Sequence, residues 1–145
     1  MINRTEESSL ISIVEVPVRF SEVDAMTVVW HGNYVQYLED GRDAFGKKFD
    51  LDFLGVYYKE GFLSPVVQVK VDYKRPLKLG DVAVIETTFV KTPAAKVIFK
   101  YRIFRKSDGQ LTTTAETTQV FLTKDNELSI TVPPFYDEWK KKWLK

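Results

Sequence analysis

The chain has 145 residues, of which 44% are hydrophobic and 14% aromatic, a size and apolar content typical of one folded domain rather than a disordered chain. Its net charge is only +1, so it offers no general electrostatic attraction to nucleic acid. It contains no cysteine, which excludes disulfides, thiolate nucleophiles and thiolate metal sites. We therefore predict one domain spanning residues 1–145, with no nucleic-acid partner.

A metal site and a membrane segment are both poorly supported. His31 is the only histidine, so a histidine-based metal site or a Ser-His-Asp triad would have to be built around it. We expect no metal. Residues 1–10 are polar and lack the apolar core of a secretory signal, and no window approaches the roughly 20 apolar residues of a membrane span. We expect a soluble cytoplasmic protein with no membrane partner.

The first predicted element is a strand at residues 11–20, ISIVEVPVRF. Its apolar positions alternate, which is the period of a half-buried strand, and place one face at Val14, Val16, Val18 and Phe20. Pro17 cannot donate a ladder hydrogen bond, so the strand should lie at a sheet edge or carry a bulge.

A long helix is predicted next, from about Asn33 to Phe49. Its apolar stripe consists of Tyr34, Leu38, Gly41, Phe45 and Phe49. Asn33 followed three residues later by Gln36 resembles a capping box at the helix start. Gly41 costs a helix about 1 kcal/mol relative to alanine, so we expect a sheet to approach that face closely.

The rest of the chain reads mainly as strands. Residues 50–63 are irregular, with a short helical turn ending at Gly61, and four strands follow at Val66–Lys74, Val82–Val90, Lys96–Phe104 and Thr112–Leu122. In the first of these strands, Val66–Lys74, apolar and polar residues alternate, which is typical of a strand with one buried face. Short connections favour antiparallel neighbours, which predicts an α+β fold with one long helix on a sheet of about five strands.

The tail, about residues 133–145, predicts a short amphipathic helix. Phe135, Trp139 and Trp143 recur at four-residue spacing and would share one face. Lysines accompany the tryptophans, as in membrane-surface anchors, but we favour docking on the protein's own sheet or on a neighbouring subunit.

The loop before the long helix carries the chemistry. It contains Asp24 and His31, and it leads into the start of a helix. The first N–H groups of a helix lack intrahelical partners and form the positive end of the helix dipole. Such a terminus suits a developing oxyanion. A carboxylate and a helix N-terminus together are sufficient for attack on an activated acyl group.

The segment Asp24-x-x-x-x-Val29-Trp30-x-x-Asn33-Tyr34 resembles a motif of the 4-hydroxybenzoyl-CoA thioesterase group of hot-dog proteins. The resemblance extends through residues 73–81, with their Gly-Asp turn, and 96–101, and covers roughly residues 14–122. It implies a hot-dog fold, a long central helix wrapped by the antiparallel sheet, and an acyl-CoA thioester hydrolase that releases a free carboxylic acid and CoA.

The same resemblance implies roles for individual residues. Asp24 would be the nucleophile or general base, and the backbone N–H of His31 would polarise the thioester carbonyl. Thioester binding would further involve Trp30, Gly32 and Asn33, and the substrate would contact Tyr34, Tyr73 and Lys96. No cofactor is implied, because coenzyme A is part of the substrate. Many family members carry glycine where this chain has Met26-Thr27, so the local backbone is expected to differ and the pocket to be narrower.

The resemblance also implies a homodimer or homotetramer with active sites between subunits. The runs at residues 82–90 and 112–118 have few charges and are expected to form edges that a second subunit pairs.

Other interpretations remain open. Asp24 could be a simple turn residue, and Glu22 is the nearest rival carboxylate, although we expect it to be an exposed charge. The protein could act on acyl carrier protein thioesters, it could be a non-catalytic acyl-ligand-binding hot-dog module, or it could be a hot-dog dehydratase. The last is disfavoured because His31 lacks a companion acid at helical spacing.

Overall fold

The computed structural model of the protein describes residues 5–144. Its elements are, in chain order, β1 (Glu6–Pro17), α1 (Tyr34–Phe49), α2 (Phe53–Glu60), β2 (Val66–Tyr73), β3 (Val82–Lys91), β4 (Lys96–Arg105), β5 (Leu111–Val120) and α3 (Pro134–Trp143). Two 3₁₀ turns, Phe20–Glu22 and His31–Asn33, flank the loop before α1. The five strands form one antiparallel sheet in the order β1-β3-β4-β5-β2, which confirms the predicted α+β fold with one five-stranded sheet.

Helix α1 lies on the β1, β3 and β4 side of the sheet. All five residues of its predicted apolar stripe are buried, and Tyr37 is buried with them. At Gly41 a Cβ atom would lie 2.5 Å from Thr87 Oγ1 and 2.8 Å from Ile85 Cγ2, both on β3. The predicted close approach of the sheet at Gly41 is therefore confirmed.

The predicted cap of α1 is wrong. Asn33 has helical backbone angles and its side chain makes no capping hydrogen bond, because the preceding 3₁₀ turn already continues into the helix. At the other end Asp50 adopts a left-handed conformation with φ 57°. The helical turn expected before Gly61 is a two-turn helix, α2, which Gly61 ends with φ 76°.

Helix α3 packs on the protein's own core. Trp139 is buried and its Nε1 donates to Phe49 O at the end of α1 over 2.7 Å. Phe135 and Trp143 also pack against the core, so docking on the same chain is confirmed. None of the helices within residues 5–144 combines the length and apolar character needed to cross a membrane.

The first strand is longer at its start than predicted. Strand β1 begins at Glu6 and ends at Pro17, and the chain then turns so that Phe20 is exposed. It lies at an edge of the sheet, as Pro17 predicts, and it also carries an irregularity between Glu7 and Ile11.

The predicted edges of the sheet are wrong. Strands β3 and β5 are both paired on two sides, and the edges are β1 and β2. Strand β2 does not pair with β3, its neighbour along the chain, but with β5. The low charge of β3 and β5 therefore reflects burial inside the sheet rather than an edge waiting for a partner.

Strand β2 is more exposed than its alternating pattern predicts. Val69, Val71 and Tyr73 pair with Thr117, Ala115 and Thr113 and so face the same side as the core, yet Val69 is 41% and Tyr73 51% exposed. The reason is that α1 lies over the opposite half of the sheet. The inner face of β2 is therefore an apolar surface that the described residues cover only in part, with Val71 packed against the core.

We expect Gly41→Ala to lower the free energy of unfolding by about 1–3 kcal/mol, because the added methyl group would overpack the contact with β3. Urea denaturation of the variant and the unmodified protein measures this difference. Helix propensity alone predicts a gain of about 1 kcal/mol, so a stabilised variant would contradict the close contact.

Candidate active site

Asp24 sits in a tight hairpin between β1 and α1. Val23 bridges Val29, and Asp24 N donates to Val28 O over 2.8 Å. The chain therefore reverses within the five residues that separate Val23 from Val29. This reversal brings Glu22 beside Trp30, where Trp30 N donates to Glu22 O over 2.9 Å.

The two oxygens of the Asp24 carboxylate differ in their hydrogen bonds. Oδ1 accepts the N–H groups of Met26 at 2.8 Å and Val28 at 3.3 Å, which is the local bonding of a turn aspartate. Oδ2 accepts no hydrogen bond from any residue in 5–144, and the residue is exposed. The turn interpretation of Asp24 is thus correct for one oxygen and leaves the other open to a ligand.

Thr27 supplies the conformation that glycine would provide at the hairpin tip. Its φ is 62°, a left-handed value that is unusual for a β-branched residue. Thr27 N donates to Asp24 O over 2.9 Å, and Leu79 N donates to Thr27 O over 3.0 Å. The loop therefore adopts a glycine-type turn in spite of the Met26-Thr27 sequence.

The segment between β2 and β3 braces this hairpin from outside. Val28 bridges Lys78, and Val29 N donates to Leu77 O over 2.8 Å. The Gly-Asp turn closes the segment, with Asp81 N donating to Lys78 O over 2.9 Å. Backbone bonds to one segment about 50 residues away, residues 77–79, thus fix the hairpin.

The helix entrance presents two unused backbone donors. Within residues 5–144, the N–H groups of His31 and Gly32 find no acceptor. The N–H of Asn33 is already bonded to Trp30 O at 2.9 Å. Of the three predicted thioester-binding N–H groups, His31 and Gly32 are available and Asn33 is not.

Both free donors are held in orientation by the carbonyl of their own peptide group. The Trp30 carbonyl, which accepts from Asn33, shares a planar peptide unit with the His31 N–H. The His31 carbonyl accepts the Tyr34 N–H and the Tyr73 hydroxyl, the latter at 2.7 Å, and it shares a unit with the Gly32 N–H. Pre-oriented donors of this kind can stabilise an oxyanion without reorganisation.

The two predicted substrate-binding tyrosines have different positions. Tyr73 is half-exposed and its hydroxyl fixes the His31 carbonyl. Tyr34 is buried, its hydroxyl accepts from Leu77 N at 3.2 Å, and its ring packs edge-on against Tyr73 at 5.1 Å. Burial raises the pKa of the Tyr34 hydroxyl, while the bond from Leu77 lowers it. Tyr34 therefore supports the site from beneath.

Trp30 packs against Gly32. Its ring lies where a Gly32 side chain would be, and its centroid is 5.0 Å from that of His31. More than half of the Trp30 side chain is exposed. A residue larger than glycine at position 32 would have to displace this ring, which explains the small residue beside the N–H groups.

The prediction that Glu22 is an exposed charge is wrong. Only 4% of Glu22 is exposed. Its carboxylate accepts the Arg19 N–H at 2.9 Å and the Tyr37 hydroxyl at 2.8 Å, both on Oε1. The Arg19 guanidinium lies 3.1 Å from Oε2. These hydrogen bonds offset the free-energy cost of burying the Glu22 charge. A solvent-exposed Glu22 side chain would not form them.

Lys96 does not join the other predicted residues within one chain. It is the first residue of β4, whereas Tyr73 aligns through Thr113 with Ile103 near the far end of that strand. Ile103 lies seven residue steps along the strand from Lys96, roughly 23 Å at about 3.3 Å per residue. Within one chain, Lys96 therefore does not reach the site.

Sequence reasoning missed the Glu22–Tyr37 pair and the brace at residues 77–79. The Arg19-x-x-Glu22 spacing was a usable signal, because an acid three residues after a turn start can bond back to its N–H. No local signal marked the brace, since its partners are about 50 residues away in sequence.

The arrangement combines a carboxylate with one free oxygen and two fixed N–H donors. No three histidine, aspartate or glutamate side chains within residues 5–144 are grouped so as to hold a metal ion. These groups can supply an attacking or proton-accepting oxygen and a site for a carbonyl oxygen.

A family model described as the thioesterase-like superfamily matches residues 18–140. The chain belongs to this superfamily. The match includes the hairpin, the helix entrance and all but the last residues of α3. The predicted family is confirmed, and this thioesterase is an enzyme that hydrolyses thioesters, as predicted.

Individual relatives agree over nearly the whole thioesterase. A putative acyl-CoA thioesterase, YneP, of Bacillus subtilis (strain 168) is 33% identical over 136 residues, which are 93% of this chain and 96% of the relative. The structure of a DHNA-CoA thioesterase from Staphylococcus aureus has a TM-score of 0.81 at 27% identity, covering 92% of this chain and 89% of the other.

A third comparison supports the fold alone. The 4-hydroxybenzoyl-CoA thioesterase from Pseudomonas sp. strain CBS-3 has a TM-score of 0.78 at 23% identity, covering 90% of this chain and 99% of the other. The predicted hot-dog fold of the thioesterase is thereby confirmed over most of its length.

Proposed function

We propose that the protein hydrolyses acyl-CoA thioesters to a free carboxylic acid and CoA at the Asp24 hairpin and the α1 entrance. One observation carries this proposal. The free N–H groups of His31 and Gly32 open beside the hairpin that holds an exposed carboxylate oxygen. The name of the B. subtilis relative, a putative acyl-CoA thioesterase, supports CoA rather than acyl carrier protein as the thiol.

The thioester carbonyl oxygen would accept both N–H groups, so that negative charge developing on it during attack is stabilised. Asp24 Oδ2 would either attack the carbonyl carbon or remove a proton from an attacking water. In the first case the C–S bond breaks to give an acyl-aspartate anhydride and CoA thiolate, and water then cleaves the anhydride. In the second case the water oxygen bonds to the carbonyl carbon, the C–S bond breaks to give the carboxylic acid and CoA thiolate, and the proton held by Asp24 passes to the thiolate.

Two alternatives remain distinguishable. A non-catalytic acyl-binding module would bind acyl-CoA without releasing thiol, and an acyl carrier protein thioesterase would prefer the protein-bound thiol. Release of free thiol from a panel of acyl-CoAs and acyl carrier protein thioesters separates the three. Because CoA esters are used inside cells, the proposal includes a cytoplasmic location.

Asp24→Asn should lower kcat for acyl-CoA hydrolysis by about 100-fold or more, because the amide keeps the shape but removes the anionic base or nucleophile. Thiol release by the purified variant measures the loss. Asp125→Asn, in an exposed turn after β5, is the matched control and should retain full activity. Near-normal turnover in folded Asp24→Asn would remove Asp24 from the mechanism.

His31→Ala should retain clearly more kcat/KM than Asp24→Asn on the same substrate. Alanine keeps the main-chain N–H that we assign to the thioester oxygen, and only the imidazole is lost. Parallel kinetics of the two variants make the comparison. Equal losses would indicate that the imidazole itself takes part in proton transfer.

We also propose that the active protein is a dimer joined at the β2 edges. Val67 and Val69 are exposed along this edge, and an uncovered apolar edge strand is normally paired in proteins that stay soluble. If two copies of β2 pair antiparallel across a two-fold axis, the Val66 end of one meets the Tyr73 end of the other. Lys96 lies at the Val66 end, so the partner's Lys96 would approach the site.

Light scattering after size-exclusion chromatography should show a dimer or tetramer for the unmodified protein and a smaller species for Val69→Lys. The equivalent change on the opposite edge, Ile13→Lys, should not dissociate the dimer, although Ile13 is also exposed. Mixing Asp24→Asn with Lys96→Ala subunits should restore part of the activity if the site is shared. An active stable monomer would refute both parts.

A further inference from the structure

Glu22 is a buried charge that the proposed chemistry does not use. Its carboxylate bonds to the start of its own turn at Arg19 and to the Tyr37 hydroxyl on α1. Its backbone carbonyl bonds to Trp30 N. One residue therefore contacts the start of the turn that follows β1, the return arm of the hairpin and the first turns of the helix.

These contacts flank the reacting groups. Glu22 precedes the hairpin residue Val23 and lies two residues before Asp24, while Trp30 directly precedes His31. Tyr37 lies one turn beyond Tyr34 on α1 and is fully buried. The bond from Tyr37 to Glu22 is thus a direct side-chain link between the helix that directly follows the N–H donors and the loop that carries the carboxylate.

The chemistry of the pair favours a fixed link. Burial and, to a smaller extent, the bond to Glu22 raise the pKa of the Tyr37 hydroxyl well above its usual range. The hydroxyl therefore remains a hydrogen-bond donor. A bond to a carboxylate is shorter and stronger than one between neutral groups. A buried carboxylate that lost its donors would be left with an uncompensated desolvation cost.

Neighbouring charges do not offer Glu22 another role. Asp40, one turn beyond Tyr37, has a raised pKa because it is partly buried, with Arg19 lowering it and Glu22 raising it further. The carboxylate of Glu22 already accepts three hydrogen bonds and is nearly inaccessible. A substrate cannot reach it, so any influence on catalysis must pass through the segments that it joins.

We propose that Glu22 and Tyr37 form a positioning pair, which sets the placement of the Asp24 hairpin relative to the N–H groups of His31 and Gly32. The expected effect of this pair on kcat rests on the proposed thioesterase function. Its expected effect on the placement of the hairpin rests on the structure alone. Displacements of about 1 Å between reacting groups can cost up to about 100-fold in rate.

Tyr37→Phe and Glu22→Gln should each lower kcat for acyl-CoA hydrolysis about five- to tenfold, with KM changed less than about twofold, since substrate contacts remain. Because both changes break the same link, the kcat of the double variant should be about equal to that of the less active single variant. Tyr101→Phe is the matched control. It removes another buried tyrosine hydroxyl, which bonds Thr117 Oγ1 at 2.7 Å, and should leave kcat unchanged.

A second measurement does not depend on activity. Hydrogen–deuterium exchange of the peptide spanning residues 28–33 should become at least threefold faster in Tyr37→Phe, because the Trp30 N–H bond to Glu22 loosens. The same peptide should be unaffected in Tyr101→Phe.

The results separate the two proposals. Absence of thiol release by the unmodified protein would refute the proposed function, while faster exchange in Tyr37→Phe would still support the positioning pair. Unchanged exchange in Tyr37→Phe, or a kcat loss no larger than in Tyr101→Phe with the unmodified protein active, would overturn the positioning pair. A rise in KM with unchanged kcat would also overturn it, since that result indicates a binding role.

Discussion

The contact between α1 and β3 at Gly41 determines where the rest of the site lies. Since no side chain separates the helix from Thr87 and Ile85, α1 sits low on the sheet, and Phe45 and Phe49 continue the contact towards α3. A helix held this closely cannot rotate or slide without clashes in a densely packed core. The first turn of α1 therefore lies at one fixed position beside the hairpin.

Backbone groups supply the binding elements of the site, and side chains hold them in place. The donors are peptide N–H groups of His31 and Gly32, whose planes are fixed through the preceding carbonyls. Tyr73 and the 77–79 brace secure this geometry from the sheet side, and Glu22 with Tyr37 secures it from the helix side. This division explains why His31 needs no particular side-chain contact for the proposed role.

The single chain leaves the other half of the site open. Helix α1 covers β1, β3 and β4, so the inner face of β2 beside Tyr73 is only partly covered within residues 5–144. An apolar strand edge next to the reacting groups is a natural surface for a second copy and for the acyl group together. Catalysis and assembly would then share the same surface.

The sequence by itself determined most of the elements. The periods of α1 and of the strands, the edge position implied by Pro17 and the close approach at Gly41 follow from residue patterns, because these depend on neighbours within a few residues. The placement of Asp24 and of the helix start also follows from one short segment. Tertiary structure alone decided that β2 pairs with β5, that Glu22 is buried against Tyr37, and that Asn33 N–H is already occupied. Strand order and burial of a lone charge depend on contacts between distant segments, and a local pattern fits several such pairings equally well.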